Sequence, residues 1–376
     1  MGKKIAAPFP PGEILRVELE ARNWTQNDLA EIMGRPLRMV NQIITGKSGI
    51  SPETATQLEG ALNISAETWL NLQSIYQLSK VAENKTEDVK RRAKLYSLFP
   101  IKEMVKRGWI KAAENVDELE DLLKNFCCVD DLSKAKDFSF SAKQNISSYN
   151  SPVSPTNLAW LYKVRNLAKT QITTGKFTIH AAQSAIDKLS ALLLSPEEIR
   201  HVPKILSDSG IRFVIVETLP NSKLDAVCFW LDDKTPVIGI TTRYDRIDNF
   251  WFTLRHELEH VLRGDGKITP IIDENVGIDS DDLPEAEKIA NSVAADFCVP
   301  QDKLEKYLLR VGPYAFAERK ITAFAGVLNI HAGLVVGQLQ HRTQKFHLMR
   351  KYLVPVRNFI LNGSTYDGWG FVNEEI

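Results

Sequence analysis

The chain of 376 residues lacks three things: a disulfide framework, a long apolar run and a net charge. Its four cysteines, Cys127, Cys128, Cys228 and Cys298, form neither a C-x-x-C pair nor a regular spacing, which excludes a stapled secreted scaffold and fits buried free thiols. No apolar stretch approaches the roughly 20 residues a membrane span needs, and the opening MGKKIAAPFPPGE has no apolar centre of signal-peptide length. Ala6 also breaks the N-myristoylation pattern. A cytoplasmic protein without a membrane partner is expected. With 47 Lys plus Arg against 47 Asp plus Glu, no global field steers the chain toward nucleic acid, so any DNA contact must be local. What the chain does have is length for two or three domains and a 44% apolar content ordinary for a globular fold.

Residues 11 to about 78 read as a compact set of helices with start and stop signals. Thr25, Ser51 and Ser65 stand at N-cap positions, Pro52 in a first turn, and Gly34, Gly46 and Asn63 where helices end. Counting from Gln26, a helix-turn-helix wants a small residue at position five, Gly at nine, and apolar residues at fifteen and eighteen; Ala30, Gly34, Val40 and Ile43 supply them. The helices cross closely over the small residue, the turn needs a positive φ, and the last two residues anchor the second helix. That recognition helix should begin near Pro36, with Arg35, Arg38, Asn41, Gln42 and Lys47 offering donors to base edges and phosphates. Residues 1–75 hold seven Lys/Arg and eight Asp/Glu, so the electrostatic share of any DNA affinity is small. Ten Lys/Arg against four acids at 80–111 read as a charged, solvated helix. Trp24, Trp69 and Tyr76 read as core.

On PGEILRVELEARNWTQNDLA and ITGKSGISPETATQLEGALNISAETWLNLQSIYQL, this segment resembles the HigA/VapI type of antitoxin within the XRE helix-turn-helix family. The resemblance implies a homodimeric regulator that binds palindromic operator DNA, and it raises a partner toxin as a second contact.

Beyond residue 79 charged stretches alternate with helical periodicity, interrupted at 147–157 by the loop-like SSYNSPVSPTN. From about 205 the pattern becomes period two: IRFVIVETL, AVCFWLD and PVIGITT read as strands. A helix at about 249–263 follows, then an acidic loop at 273–282, a helix from Pro284 to about Phe297, and helices around 301–310 and 314–328. The expected fold is multi-domain. It comprises an all-α helix-turn-helix bundle at 1–78, a mostly helical connecting region at 79–204, an α+β domain at 205–345 and a C-terminal extension at 346–376.

Within FWFTLRHELEHVLRGD, residues 250–265, His256 and His260 stand four apart and so share one helix face, with Cβ atoms about 5–6 Å apart. Two imidazoles so placed can bind one metal ion. Zinc with three protein ligands keeps a fourth position for water, whose pKa falls to about 7, and an adjacent carboxylate can take its proton. Glu257 is placed for that role. The metzincin continuation fails, because Arg263 and Gly266 occupy the positions where Gly and a third His would fall. Glu287, 27 residues after His260 on the next helix, is the third ligand by this reading, with Glu285 and Asp265 as competitors. Glu259 and Asp296 are candidates to orient a ligand imidazole or to remain solvated charges.

On GIRFVIVETLP, WFTLRHELEHVL, EKIANSVAADFCVP and LNIHAGLVVGQLQHR, residues 205–345 resemble the ImmA/IrrE family of gluzincin-like zinc metallopeptidases. The resemblance implies Zn²⁺ held by His256, His260 and Glu287, the Glu of the family's E-x-x-A-N element, with Glu257 as general base. Two departures stand out: Glu259 replaces the usual Gly before the second His, adding a negative charge, and FCVP replaces Leu-Leu-Met-Pro. His331 is a candidate to stabilise an oxyanion, or else a helix-start residue. PVIGITT is a candidate edge for an extended peptide, or else an ordinary strand. The function expected is a DNA-binding regulator fused to an endopeptidase that cleaves a regulatory protein; the rival is an antitoxin-like regulator whose zinc domain senses or scaffolds.

Overall fold

The computed structural model describes residues 9–80, 83–136, 143–144, 153–267, 270–274, 283–312, 315–361 and 364–367. It divides into two compact units, Met1–Ala93 and Lys94–Ile376.

In the first unit, polar caps cut a mostly helical sequence into separate rods. These are α1 (Pro11–Ala21), α2 (Gln26–Met33), α3 (Leu37–Ile44), α4 (Pro52–Leu62), α5 (Ala66–Lys80) and the start of α6 (Glu83–Leu98). Thr25 accepts the Asp28 backbone N–H while the Asp28 side chain accepts that of Thr25, a reciprocal cap worth about 1 kcal/mol. Ser51 and Ser65 accept from the Thr54 and Thr68 amides. Gly34 ends α2 at φ 64°, a left-handed conformation that costs glycine nothing. The sharp turn that follows lets α2 and α3 close over Ala30, Val40 and Ile43, all buried with Leu15, Leu29, Leu58 and Trp69 in one core. Trp24 and Tyr76 are only half-buried; Trp69 is the aromatic that fills the centre.

The second unit is built on a six-stranded sheet of order β1-β5-β3-β4-β2-β6. Its strands are β1 (Lys143–Gln144), β2 (Arg212–Ile215), β3 (Leu224–Trp230), β4 (Pro236–Ile240), β5 (Ile271–Glu274) and β6 (Thr365–Tyr366). β3 runs antiparallel to β4 and β5, while β2 pairs parallel with both β4 and β6. β4 is therefore flanked on both sides, and the peptide edge considered for PVIGITT is already taken by β2. Strand alternation sends neighbouring side chains to opposite faces. Phe213, Ile215, Cys228, Ile238 and Ile240 join one core, and Val214, Val216, Val227, Phe229 and Val237 join another.

The second of these cores fills the face covered by α7 (Ile101–Lys106), α8 (Val116–Cys127) and α9 (Pro155–Thr170), capped by Ser154. Residues read from sequence as a connecting region thus share a core with the strands. The first core lies under α10 (Ile179–Ser190), α11 (Val202–Asp208), α12 (Ile247–Arg263), α13 (Glu285–Cys298), α14 (Gln301–Val311), α15 (Glu318–Leu328) and α16 (Ala332–Thr343). The C-terminal segment adds α17 (Arg357–Ile360), buries Val356, Ile360 and Leu361, and pairs Arg357 with Glu217 at 2.6 Å. Most of the acidic loop expected at 273–282, and residues 147–152 of the expected Ser/Pro-rich loop, lie outside the described residues. Among the described residues no single helix is long and apolar enough to cross a membrane.

Candidate metal centre

The helix α12 carries two faces with different work. Ile247, Phe250, Trp251, Leu254, Leu258 and Val261 recur at helical spacing and sink into the core, fixing the rod. His256 and His260 project toward α13, whose first turn brings Glu287 up to them. The Nε2 atoms of the two imidazoles are 3.1 Å apart, His256 Nε2 lies 3.2 Å from Glu287 Oε2, and His260 Nε2 lies 3.4 Å from Glu287 Oε1. Zn–N bonds of about 2.0–2.1 Å put tetrahedral ligand atoms about 3.3 Å apart, so this spacing fits a divalent ion. The three residues form the one candidate metal group among the described residues. Glu287 lies in the first turn of α13, near the positive end of its dipole.

All members are shut away from solvent: His256 is 1%, Glu257 0%, His260 0% and Glu287 4% exposed. Two carboxylates held at that depth cost several kcal/mol each unless a cation opposes them, and the donor set suits one. Asp265 meets the other ring nitrogen of His260, with Oδ2 3.1 Å from Nδ1. That contact, ahead of the nearby Arg263, holds the Asp265 carboxyl below its usual range. Asp265 therefore approaches the ring from the side opposite the trio, which is not where a competing ligand would stand. Glu285 is exposed at the start of α13. Asp296, exposed, accepts the Gln301 backbone N–H at 2.9 Å instead of orienting an imidazole. Glu259 bonds Arg255 at 2.9 Å, so the extra charge before the second His is paired one turn away.

His331 stands at the start of α16. Its Nδ1 accepts the Gly333 backbone N–H at 3.0 Å and caps α16, and burial holds its pKa down against the pull of Glu197. With Nδ1 accepting, the neutral ring carries its proton on Nε2, so the helix-start role and the oxyanion role considered from sequence use different nitrogens.

In the first unit, Arg38, Asn41 and Lys47 are exposed on and just after α3, and Gln42 is half-buried. Arg35 instead reaches α4, bonding Glu53 and, at 3.0 Å, Gln57. Gln26, passed over in the sequence reading of this surface, accepts from Asn41 Nδ2 at 3.3 Å and so shares it. Its place at the first position of α2, beside the N-cap, was the available signal.

The geometry defines two classes of domain in one chain, a helix-turn-helix and a two-histidine, one-glutamate centre on paired helices. Comparison with known proteins assigns both: residues 15–69 match the helix-turn-helix family and residues 207–329 match the IrrE N-terminal-like domain of the M78 peptidases. The chain is 32% identical over 92 residues to the uncharacterized HTH-type transcriptional regulator YddM of Escherichia coli, covering 24% of this chain and 96% of that protein. It is 32% identical over 85 residues to virulence-associated protein I of Dichelobacter nodosus, covering 22% of this chain and 79% of that one. A solved structure of the Pseudomonas aeruginosa antitoxin HigA with the higBA promoter shares 34% identity over 22% of this chain and 90% of that one, at a TM-score of 0.21. The chain belongs to the helix-turn-helix regulators by its first domain and carries a metallopeptidase-family domain in its second unit.

Proposed function

We propose that the chain is an operator-binding regulator joined to a zinc-dependent endopeptidase that cleaves a regulatory protein. The divisions 1–78, 79–204, 205–345 and 346–376 are its functional segments, with 79–204 also serving as cover for the sheet. The observation that carries the peptidase reading is the convergence of His256, His260 and Glu287 with Glu257 on the same helix. His256 and His260 would hold the ion through Nε2 and Glu287 through its carboxylate. When bound, Zn²⁺ supplies a Lewis acid and a water whose pKa falls to about 7. Glu257 accepts a proton at its carboxylate and returns it to the departing amine. Arg38, Asn41, Gln42 and Lys47 face base edges and phosphates of an operator, and two copies of the chain read its two halves.

The depth of the centre favours a second reading. Closed zinc sites are structural as a rule, whereas catalytic ones keep an open position. On that reading the chain is an antitoxin-like regulator whose zinc domain senses or scaffolds, and a toxin takes the place of the substrate. Glu257→Gln separates the two. It should keep zinc and operator binding while lowering peptide-bond cleavage about 10²–10⁴-fold. Identical behaviour of parent and variant in cleavage assays, with zinc retained, supports the second reading.

A further inference from the structure

The loop that leaves α12 is built to hold one side chain in place. Gly264 and Gly266 take φ of +71° and +79°, and a Cβ on Gly266 would come within 2.7 Å of the Cys228 carbonyl oxygen on β3. Between them, the Asp265 carbonyl oxygen accepts the Trp230 indole N–H at 2.8 Å. The backbone of Asp265 is thereby pinned to β3, and its side chain turns back to α12, where Oδ2 stands 3.1 Å from His260 Nδ1. Arg263 Nε lies 3.3 Å from the same oxygen.

A neutral imidazole carries a single N–H, and a carboxylate can only accept. With Nδ1–H donated to Asp265, Nε2 of His260 keeps its lone pair. Nε2 is the atom that faces His256 Nε2 at 3.1 Å and Glu287 Oε1 at 3.4 Å. Without the carboxylate, the ring is free to hold its proton on Nε2 and to close the site with an N–H between the two imidazoles.

We infer that Asp265 is a positioning residue, tying the sheet to the metal centre by fixing His260 in the tautomer that offers Nε2 to a divalent ion. The inference rests on the metal-binding reading above. Partners of this kind alter metal affinity by about 10–100-fold when removed.

The test uses the full chain stripped of metal, as parent, Asp265→Ala and Asp265→Asn. Long-range ¹H–¹⁵N spectra read the histidine tautomers, chelator competition reads Zn²⁺ affinity, and visible absorption reads the Co²⁺-loaded site. In the parent, His260 should carry its proton on Nδ1. In Asp265→Ala the proton should move toward Nε2, Zn²⁺ affinity should fall about 10–100-fold, and the Co²⁺ bands should shift. Asp265→Asn, which keeps an acceptor oxygen but no charge, should keep the tautomer and lose affinity by a smaller factor. Parental tautomer and affinity in a folded Asp265→Ala overturn the proposal, and parental affinity in Asp265→Asn overturns it even if the alanine variant does not fold. A parent that binds neither ion sinks the metal reading itself, a separate result.

Discussion

Helices α3 and α12 each present chemistry-bearing side chains from one amphipathic rod, yet α3 leaves them in solvent and α12 buries them within its own unit. α3 buries Val40 and Ile43 and leaves Arg38 and Asn41 in solvent. α12 is packed on its apolar stripe and again around His256, Glu257 and His260, which are at most 1% exposed. A reading surface tolerates exchange of the residues that do the reading, because the fold does not lean on them. A buried centre has no such freedom: each polar group removed leaves its neighbours without an answering charge or bond.

Replacing a ligand should break this comparison hardest. His260→Ala is expected to abolish stoichiometric metal, and metal present at 1,000 times its dissociation constant stabilises the loaded fold by about 4 kcal/mol. Metal analysis and calorimetry check this, with the loss confined to the transition of residues 94–376. Arg38→Ala should leave both melting transitions in place and weaken operator binding by about 1–3 kcal/mol, read by anisotropy at fixed salt. Arg35→Ala, whose partner Glu53 is mostly exposed, should change stability by about 1 kcal/mol or less, because solvent screens such pairs.

The smallest effect concerns pH. The pKa of His331 is lowered in the fold, chiefly by burial, so the folded state favours the neutral ring. The stability this contributes is present above the unfolded value near 6.5 and is lost as pH falls from there through the folded pKa. Protonation also removes the lone pair that caps α16. Asn at this position keeps a cap without titrating, so His331→Asn should flatten the acid limb of the melting curve; an unchanged limb assigns it to other groups.

The parts legible in the sequence are those governed by local rules. Thr25, Ser51, Gly34 and Asn63 announce helix ends because capping is settled within four residues. The pair His256/His260 is legible because helical periodicity alone puts it on one face. The flanked position of β4 was not, since it depends on β2 crossing over to lie beside it, a non-local choice that no stretch of PVIGITT encodes. β1 and β6, two residues each, are too short to show a period. The place of Asp265 depends on Gly264, Gly266 and a tryptophan 35 residues upstream, a conjunction visible only once the loop is folded.

The sheet's second core carries a practical lesson for anyone cutting this chain. A fragment begun at residue 205 would leave Val214, Val227, Phe229 and Val237 as a bare greasy wall, and one stopped at 345 would also pull Val356 and Ile360 out of the interior. Such a piece should clump before its metal site can be assayed. A fragment that keeps both cores and the β2–β6 pairing starts near residue 94 and runs through residue 367.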